Sequence, residues 1–166
     1  MPRVLVICIG NTLRSDDGFA WHVAEELVRQ GSESLRALKV HQLTPELAEA
    51  ISEVDLAIFV DAGAHGDPGV LTCDPVDVSE SDLRFSHDVT PATLIHMSKI
   101  LFGKAPSACL VCVTGKNFEH GESLSNEISA VIPKALAKIQ QLMELPHPNQ
   151  TGLEWATRPF ERTKKN

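Results

Sequence analysis

The sequence lacks two features that would mark a membrane protein or a nucleic-acid-binding protein. No segment approaches the roughly 18 to 20 consecutive apolar residues that a membrane-spanning helix needs. Basic residues are also few, 15 against 22 acidic ones, which gives a net charge of −7 with histidine neutral. A protein that binds the nucleic-acid backbone normally carries a basic face. Neither a membrane nor a nucleic acid is therefore an expected partner.

Cysteine is scarce, and no signal peptide is recognisable. Four cysteines in 166 residues do not form the dense pattern of a disulfide-stabilised secreted domain. The N-terminus begins directly with a strand-like run, without a charged region, an apolar region and a cleavage site of small residues. We therefore expect a soluble, acidic, cytoplasmic protein. Its chain is long enough to bury one hydrophobic core without the support of disulfides or a structural metal.

Short apolar runs alternate with amphipathic segments along most of the chain. The runs predict strands at about 4–9, 38–42, 56–60, 70–73 and 108–113. Helices are expected from about Asp16, Thr44, Thr90 and Ser125, and Pro133 should kink or split the last one. This alternation predicts an α/β fold, a three-layer sandwich in which a twisted, mostly parallel sheet carries helices on both faces.

The chain changes character near its C-terminal end. Residues 1–143 fit a single α/β domain, whereas residues 144–166 contain prolines, a glycine and several basic side chains without apolar periodicity. We expect this polar, basic tail to be flexible unless it docks against another surface.

Acidic and histidine side chains lie where the predicted strands end. They are Asp16 and Asp17 after the first strand, Asp61 after the third, and His87 ahead of the helix that opens at Thr90. In open parallel sheets, functional groups gather beyond the carboxyl ends of the strands, near the topological switch point. Each residue alone has an ordinary interpretation, as a helix cap, a turn residue or a surface histidine. Their combination makes them candidate site residues.

Carboxylates together with an imidazole indicate a divalent-metal site. Such a mixed oxygen and nitrogen ligand set suits nickel, zinc or manganese, and spacing does not identify which. A resident catalytic metal usually comes with a local motif such as His-Glu-x-x-His, and the sequence has none. We therefore expect no tightly bound resident cofactor, but an open site that contacts a metal carried by another protein.

Four sequence motifs stand out along the chain. The first is Gly10-Asn11-x-Leu13-x-x-Asp16-Asp17-Gly18, the second Phe59-Val60-Asp61-Ala62, the third Ser86-His87 before a helix start, and the fourth Gly121-Glu122-x-Leu124-Ser125. They resemble the motifs of the hydrogenase maturation proteases, the endopeptidases that trim the C-terminus of the [NiFe]-hydrogenase large subunit. The resemblance spans residues 3–142 and leaves out the basic tail.

The resemblance implies a function, a partner and a metal site. The function is a single cleavage of the [NiFe]-hydrogenase large-subunit precursor after nickel has been inserted. The implied metal contacts are Asp17, Asp61 and His87, and the nickel is supplied by the client precursor. A protease completed by the metal of its client gains specificity from a bond that an unloaded precursor does not offer.

The sequence offers no obvious nucleophile. It has no Gly-x-Ser-x-Gly elbow, and Cys8 falls within an apolar strand. Cys109 and Cys112 lie three apart in a predicted strand, so they should point to opposite faces and serve packing. Hydrolysis through a metal-polarised carbonyl or a metal-activated water is the simplest route. The predicted catalytic residues are Asp17, Asp61 and Asp16, the last as a general base or as support for Asp17.

Three other functions stay open at this point. The same residues suit a divalent-metal-dependent hydrolase with its own ion, and a non-catalytic chaperone of the nickel-loaded precursor would equally lack a nucleophile. A nucleotide or flavin binder is disfavoured, because Gly10-Asn11 is not followed by Gly-x-x-Gly and the Asp16-Asp17 pair would repel a phosphate.

Overall fold

A computed structural model describes residues 2–78 and 88–145, and five strands in these ranges form one sheet. The strands are β1 (Val4–Ile9), β2 (Leu35–Val40), β3 (Leu56–Gly63), β4 (Leu71–Pro75) and β5 (Ser107–Thr114), in the spatial order β2-β1-β3-β5-β4. Strands β2, β1, β3 and β5 run parallel, and β4 pairs antiparallel with β5 at the edge. The predicted mostly parallel sheet is confirmed.

Helices cover both faces of this sheet, so the predicted three-layer architecture is also confirmed. They are α1 (Phe19–Gln30), α2 (Leu47–Ser52), α3 (Pro91–Phe102), α4 (Asn126–Ser129) and α5 (Ile132–Glu144). Helices α1, α4 and α5 contribute to the core on one face, and α2 and α3 contribute to the core on the other. None of the helices in the described ranges is long and apolar enough to cross a membrane.

Residues 56–60 of β3 are continuously apolar, and their packing shows why. Leu56, Ile58 and Val60 belong to the core beneath α1 and α5, whereas Ala57 and Phe59 belong to the core beneath α2 and α3. Because helices cover both faces of this part of the strand, all five residues are buried and no polar alternation appears.

The strand boundaries differ from the predicted ones where pairing extends beyond the apolar run. Strand β2 starts at Leu35 rather than near residue 38, because it pairs along the whole of β1. Strand β3 continues through Asp61 to Gly63, paired with β5 as far as Thr114. Asp61 therefore lies inside a hydrogen-bonded strand and not in the loop after it.

Two helices begin later than the sequence indicated. A short 3₁₀ turn (Ser15–Gly18) precedes α1, and α2 starts at Leu47, after a turn closed by a hydrogen bond from the Leu47 amide to the Thr44 carbonyl. The predicted split at Pro133 is confirmed, since this proline falls in the first turn of α5, where a missing N–H is tolerated.

The apolar periodicity of the sequence predicts that Val28 on α1 and Leu101 on α3 face the core, but both are exposed, at 67% and 62%. Both lie in the last turn of their helices.

The chain order creates a switch point between β1 and β3. From β1 the chain moves outward to β2, and it then returns to place β3 on the opposite side of β1. The loop that follows β1 and the carboxyl end of β3 are therefore neighbours at one edge of the sheet. This is the position at which open α/β sheets bind ligands.

Candidate functional site

The first element of the site is the motif loop, residues 10–18, which follows β1. A side chain at Gly10 would overlap the carbonyl oxygen of Asp17, so the loop closes only with glycine there. The Asn11 amide donates to the Asp17 carbonyl at 3.2 Å, and the Asn11 side-chain oxygen accepts from the Leu13 amide at 2.9 Å. These contacts fold the loop back on itself and bring Asp17 to the end of β1.

The second element is Asp61 on β3, whose carboxylate interacts with that of Asp17. Burial raises the pKa of Asp61 to about 6; the hydrogen bond from the Ala62 amide, 2.8 Å long, opposes this rise, and the negative charge of Asp17 adds to it. Two carboxylates that repel each other in a half-buried site attract a cation, because a positive charge relieves both the repulsion and the desolvation. The arrangement thus favours a divalent ion.

Asp16 has the opposite environment, although it is adjacent to Asp17 in sequence. It is completely buried, at 0% exposure, and its carboxylate accepts four hydrogen bonds. Burial alone would raise the pKa of Asp16, but bonds from the Ser125, Asn117 and Lys116 amides and from the Ser125 hydroxyl outweigh it, so the pKa lies below its usual value. Of the two roles predicted for Asp16, this geometry favours support of Asp17 over proton transfer.

His87, the third predicted metal contact, lies outside the described residues. Within residues 2–78 and 88–145, no group of three or more His, Cys, Asp or Glu side chains is arranged to hold a metal ion. Helix α3, which follows His87 in the sequence, begins at Pro91 and is followed by β5. Thr90 caps this helix by accepting a hydrogen bond from the Thr93 amide.

The cysteines follow the packing interpretation. Burial raises the pKa of the Cys8 thiol to about 12, so it is not a thiolate at neutral pH. Cys109 is buried in the core beneath α1 and α5, whereas Cys112 lies on the other face and is partly exposed, which confirms that they point apart. Burial and the charge of Asp61, its neighbour across the strands, raise the pKa of Cys112 to about 11.

Sequence reasoning missed a contact that supports the start of the motif loop. His41, directly after β2, donates from Nδ1 to the Gly10 carbonyl at 3.1 Å, and its ring packs against Trp21 with centroids 4.8 Å apart. The Trp21 Nε1–H in turn donates to the Val40 carbonyl at 3.1 Å. No local pattern reveals this contact, because it depends on the pairing of β2 with β1.

Sequence reasoning also assigned no role to the segment after β5. The amides of Lys116 and Asn117 and both donors of Ser125 surround Asp16. The only signal available in the sequence was the motif Gly121-Glu122-x-Leu124-Ser125, which gave a resemblance but no contact.

Comparisons with known proteins find similar structures. No family model matches the chain, and no curated protein matches it. Among solved structures, the hydrogenase 2 maturation peptidase from Thaumarchaeota archaeon SCGC_AB-539-E09 is 22% identical, with a TM-score of 0.66 over 87% of this chain and 99% of that one.

Two further structures give the same result. The hydrogenase maturating endopeptidase HybD from E. coli has a TM-score of 0.65 at 22% identity over 85% of this chain and 91% of its own. The [NiFe] hydrogenase maturation protease HycI from Thermococcus kodakarensis KOD1 has a TM-score of 0.68 at 22% identity, covering 86% and 93%. The chain therefore has the fold of the hydrogenase maturation peptidases.

Proposed function

We propose that this protein is an endopeptidase that removes the C-terminal extension of a [NiFe]-hydrogenase large-subunit precursor after nickel insertion. One observation carries the proposal. The negative charges of Asp17 and Asp61 interact at the switch point of the sheet, in a chain that has the fold of hydrogenase maturation peptidases. The structural neighbours support hydrogenase processing, and the carboxylate pair suggests how a nickel-loaded client is selected.

Nickel enters this proposal as part of the substrate and not as a cofactor of the protein. Asp17 and Asp61 contact the nickel of the client, and His87 is the third proposed contact. An empty precursor would bring no cation to relieve the desolvation of Asp61 and its repulsion from Asp17, which raise the pKa of Asp61. A loaded precursor brings a metal cation to that point, so its productive complex is favoured over that of the empty one.

In the cleavage step, a water oxygen adds to the scissile carbonyl carbon, the carbon–nitrogen bond breaks, and the departing amine takes up a proton from that water. The client's metal would polarise the carbonyl or activate the water, and the Asp17 and Asp61 carboxylates would hold the metal against the peptide. Cys8 does not supply the nucleophile, because burial keeps its thiol protonated at neutral pH. Asp16 supports Asp17 from within the protein, consistent with its complete burial.

The test is a cleavage assay on the large-subunit precursor, prepared with and without nickel and read by C-terminal mass. We expect cleavage of the nickel-loaded form alone, and a loss of at least 100-fold in rate for D17N, D61N and H87A. Asp77→Asn is the matched control, because Asp77 is exposed and follows β4 at the opposite edge of the sheet. It should cleave at the wild-type rate.

The other outcomes separate the remaining functions. Equal cleavage of both precursor forms would leave a peptidase and contradict metal recognition. Absence of cleavage combined with selective capture of the nickel-loaded precursor would indicate a chaperone and not an enzyme. A stoichiometric metal ion that survives dialysis of the purified protein would indicate a hydrolase with its own ion.

A further inference from the structure

The segment between β5 and α4 is joined to the motif loop along its backbone. We refer to residues 115–125 as the β5–α4 loop. The Ser15 amide donates to the Gly121 carbonyl at 2.7 Å, and the Gly121 amide donates to the Leu13 carbonyl at 2.9 Å. The Ser15 hydroxyl donates to the Glu119 carbonyl at 2.8 Å. The tip of the β5–α4 loop therefore pairs with the motif loop immediately before Asp16 and Asp17.

The Asp16 carboxylate joins the two ends of the same loop. Oδ2 accepts from the Lys116 and Asn117 amides, each at 2.8 Å, and from the Ser125 hydroxyl at 2.9 Å. Oδ1 accepts from the Ser125 amide at 2.7 Å. Since residues 116 and 117 open the loop and residue 125 closes it, a single buried side chain fixes both ends.

The backbone beside Asp16 is strained in a way that this contact explains. Ser15 has φ of +52°, the one positive φ outside glycine among the described residues. A left-handed conformation is unfavourable for a residue other than glycine, and it persists where surrounding contacts hold it. At Ser15 those contacts come from the β5–α4 loop. The turn places Asp16 in the interior while Asp17 stays half-exposed.

The two loops pack closely at this junction. A Cβ at Gly115 would lie 2.5 Å from the Phe118 ring and 3.2 Å from the Asp16 Cβ. A Cβ at Gly121 would lie 3.0 Å from the Ser15 hydroxyl oxygen. Both glycines thus allow the loop to press directly against the residues that precede Asp17.

We propose that Asp16 and Ser125 are positioning residues, which act through the β5–α4 loop to hold the Asp17 carboxylate toward Asp61. This inference rests on the proposed function, in which Asp17 and Asp61 together contact the client's nickel. Without the contact from Ser125, Asp17 would sample orientations in which only Asp61 meets the metal.

The first test measures cleavage of the nickel-loaded precursor by S125A, S125T and D16N. S125A removes one hydrogen bond to Asp16 and keeps the one from its own amide, so the variant should fold. We expect kcat to fall about 10-fold in S125A, and further in D16N, with KM within about twofold of wild type. S125T retains the hydroxyl and should recover most of kcat.

Ser129→Ala is the matched control for S125A. Ser129 is an exposed serine on α4, four residues away, and it should leave kcat and KM unchanged. A wild-type kcat in S125A, or a rise in KM without a change in kcat, would overturn the proposal.

The second test needs no precursor and uses Ni²⁺ alone. In ¹⁵N spectra we would measure the Ni²⁺ concentration that halves the intensity of the Ala62 amide signal, which adjoins Asp61. We expect this concentration to rise at least threefold in S125A and in D17N, and to match wild type in S125T and S129A. The same response, or none, in wild type and S125A would overturn the positioning role. If wild type responds to Ni²⁺ but cleaves no precursor, the proposed function fails. The comparison of the Ni²⁺ responses of wild type and S125A still tests the positioning role in that case.

Discussion

At the scale of single residues, three neighbouring aspartates have three different environments. Asp16 is buried and fully hydrogen-bonded, Asp17 is half-exposed, and Asp61 is desolvated beside the charge of Asp17. Side chains of one type therefore serve different tasks, and for two of them the environment is visible in the pKa: hydrogen bonding lowers that of Asp16, whereas desolvation and neighbouring charge raise that of Asp61. Asp16 stabilises the fold, whereas Asp61 destabilises it, and these opposite effects are measurable.

D61N should be more stable than wild type at alkaline pH. The pKa of Asp61 is raised from its usual 3.8 to about 6 in the folded protein, so the ionised folded state carries a penalty. That penalty is absent below about pH 4, grows between the two pKa values, and is complete above about pH 6. We expect D61N to gain on the order of 2 kcal/mol at pH 8. Urea unfolding at pH 4 and pH 8 measures it, and an equal gain at both would contradict the assignment.

D16N should lose stability with the opposite pH dependence. The pKa of Asp16 is lowered in the folded protein, so its charge contributes stability that is present above the usual value of 3.8 and is lost as pH falls through the lowered pKa. At pH 7 we expect a loss of about 3 kcal/mol, because an amide cannot accept all the bonds that the carboxylate receives. Urea unfolding should show the gap between wild type and D16N narrowing below pH 4. A difference in unfolding free energy that does not depend on pH would contradict the lowered pKa of Asp16.

At the scale of elements, the sequence predicts the types of the strands and helices better than their ends. Apolar runs locate β1, β3 and β5, because central parallel strands are buried on both faces. The extension of β3 past Asp61 was missed, since pairing with β5 and not hydrophobicity holds Ala62 and Gly63 in the strand. The contact of the β5–α4 loop with Asp16 was missed for a similar reason, since its partners are 100 or more residues apart.

Gly10 is the position at which the motif loop should tolerate a side chain least. Its Cβ would overlap the Asp17 carbonyl, which belongs to the backbone and cannot turn away. We expect G10A to lose about 2 to 3 kcal/mol in urea unfolding, as overpacking against a fixed neighbour does. Gly63→Ala is the control, because its Cβ would meet only the Cys112 sulfur, at 3.5 Å. It should lose less than about 1 kcal/mol, and equal losses would show that close approach is not the cause.

At the scale of the whole molecule, the candidate site depends on chain order more than on any single motif. The motif loop and Asp61 meet because β3 returns to the far side of β1, which strand patterns do not reveal. The parallel sheet itself follows from alternating strands and helices. This explains how the fold of hydrogenase maturation peptidases is found at only 22% identity, since burial patterns constrain residue types and not particular residues.

Truncation after Leu145 should leave the folded protein and its site intact. Among the residues that the structure describes, the buried members of both cores lie within Val4 to Leu142, and the sequence after Leu145 shows no apolar periodicity. We expect the thermal midpoint to stay within about 2 °C of wild type, because a polar segment without apolar periodicity is not expected to add buried apolar surface. Cleavage of the nickel-loaded precursor should also be unchanged, since Asp17 and Asp61 are retained.

A matched truncation after Ile139 would remove buried Leu142 and should lower the midpoint by several degrees. If the truncation after Leu145 abolished cleavage while the thermal midpoint stayed unchanged, residues 146–166 would be required for client recognition.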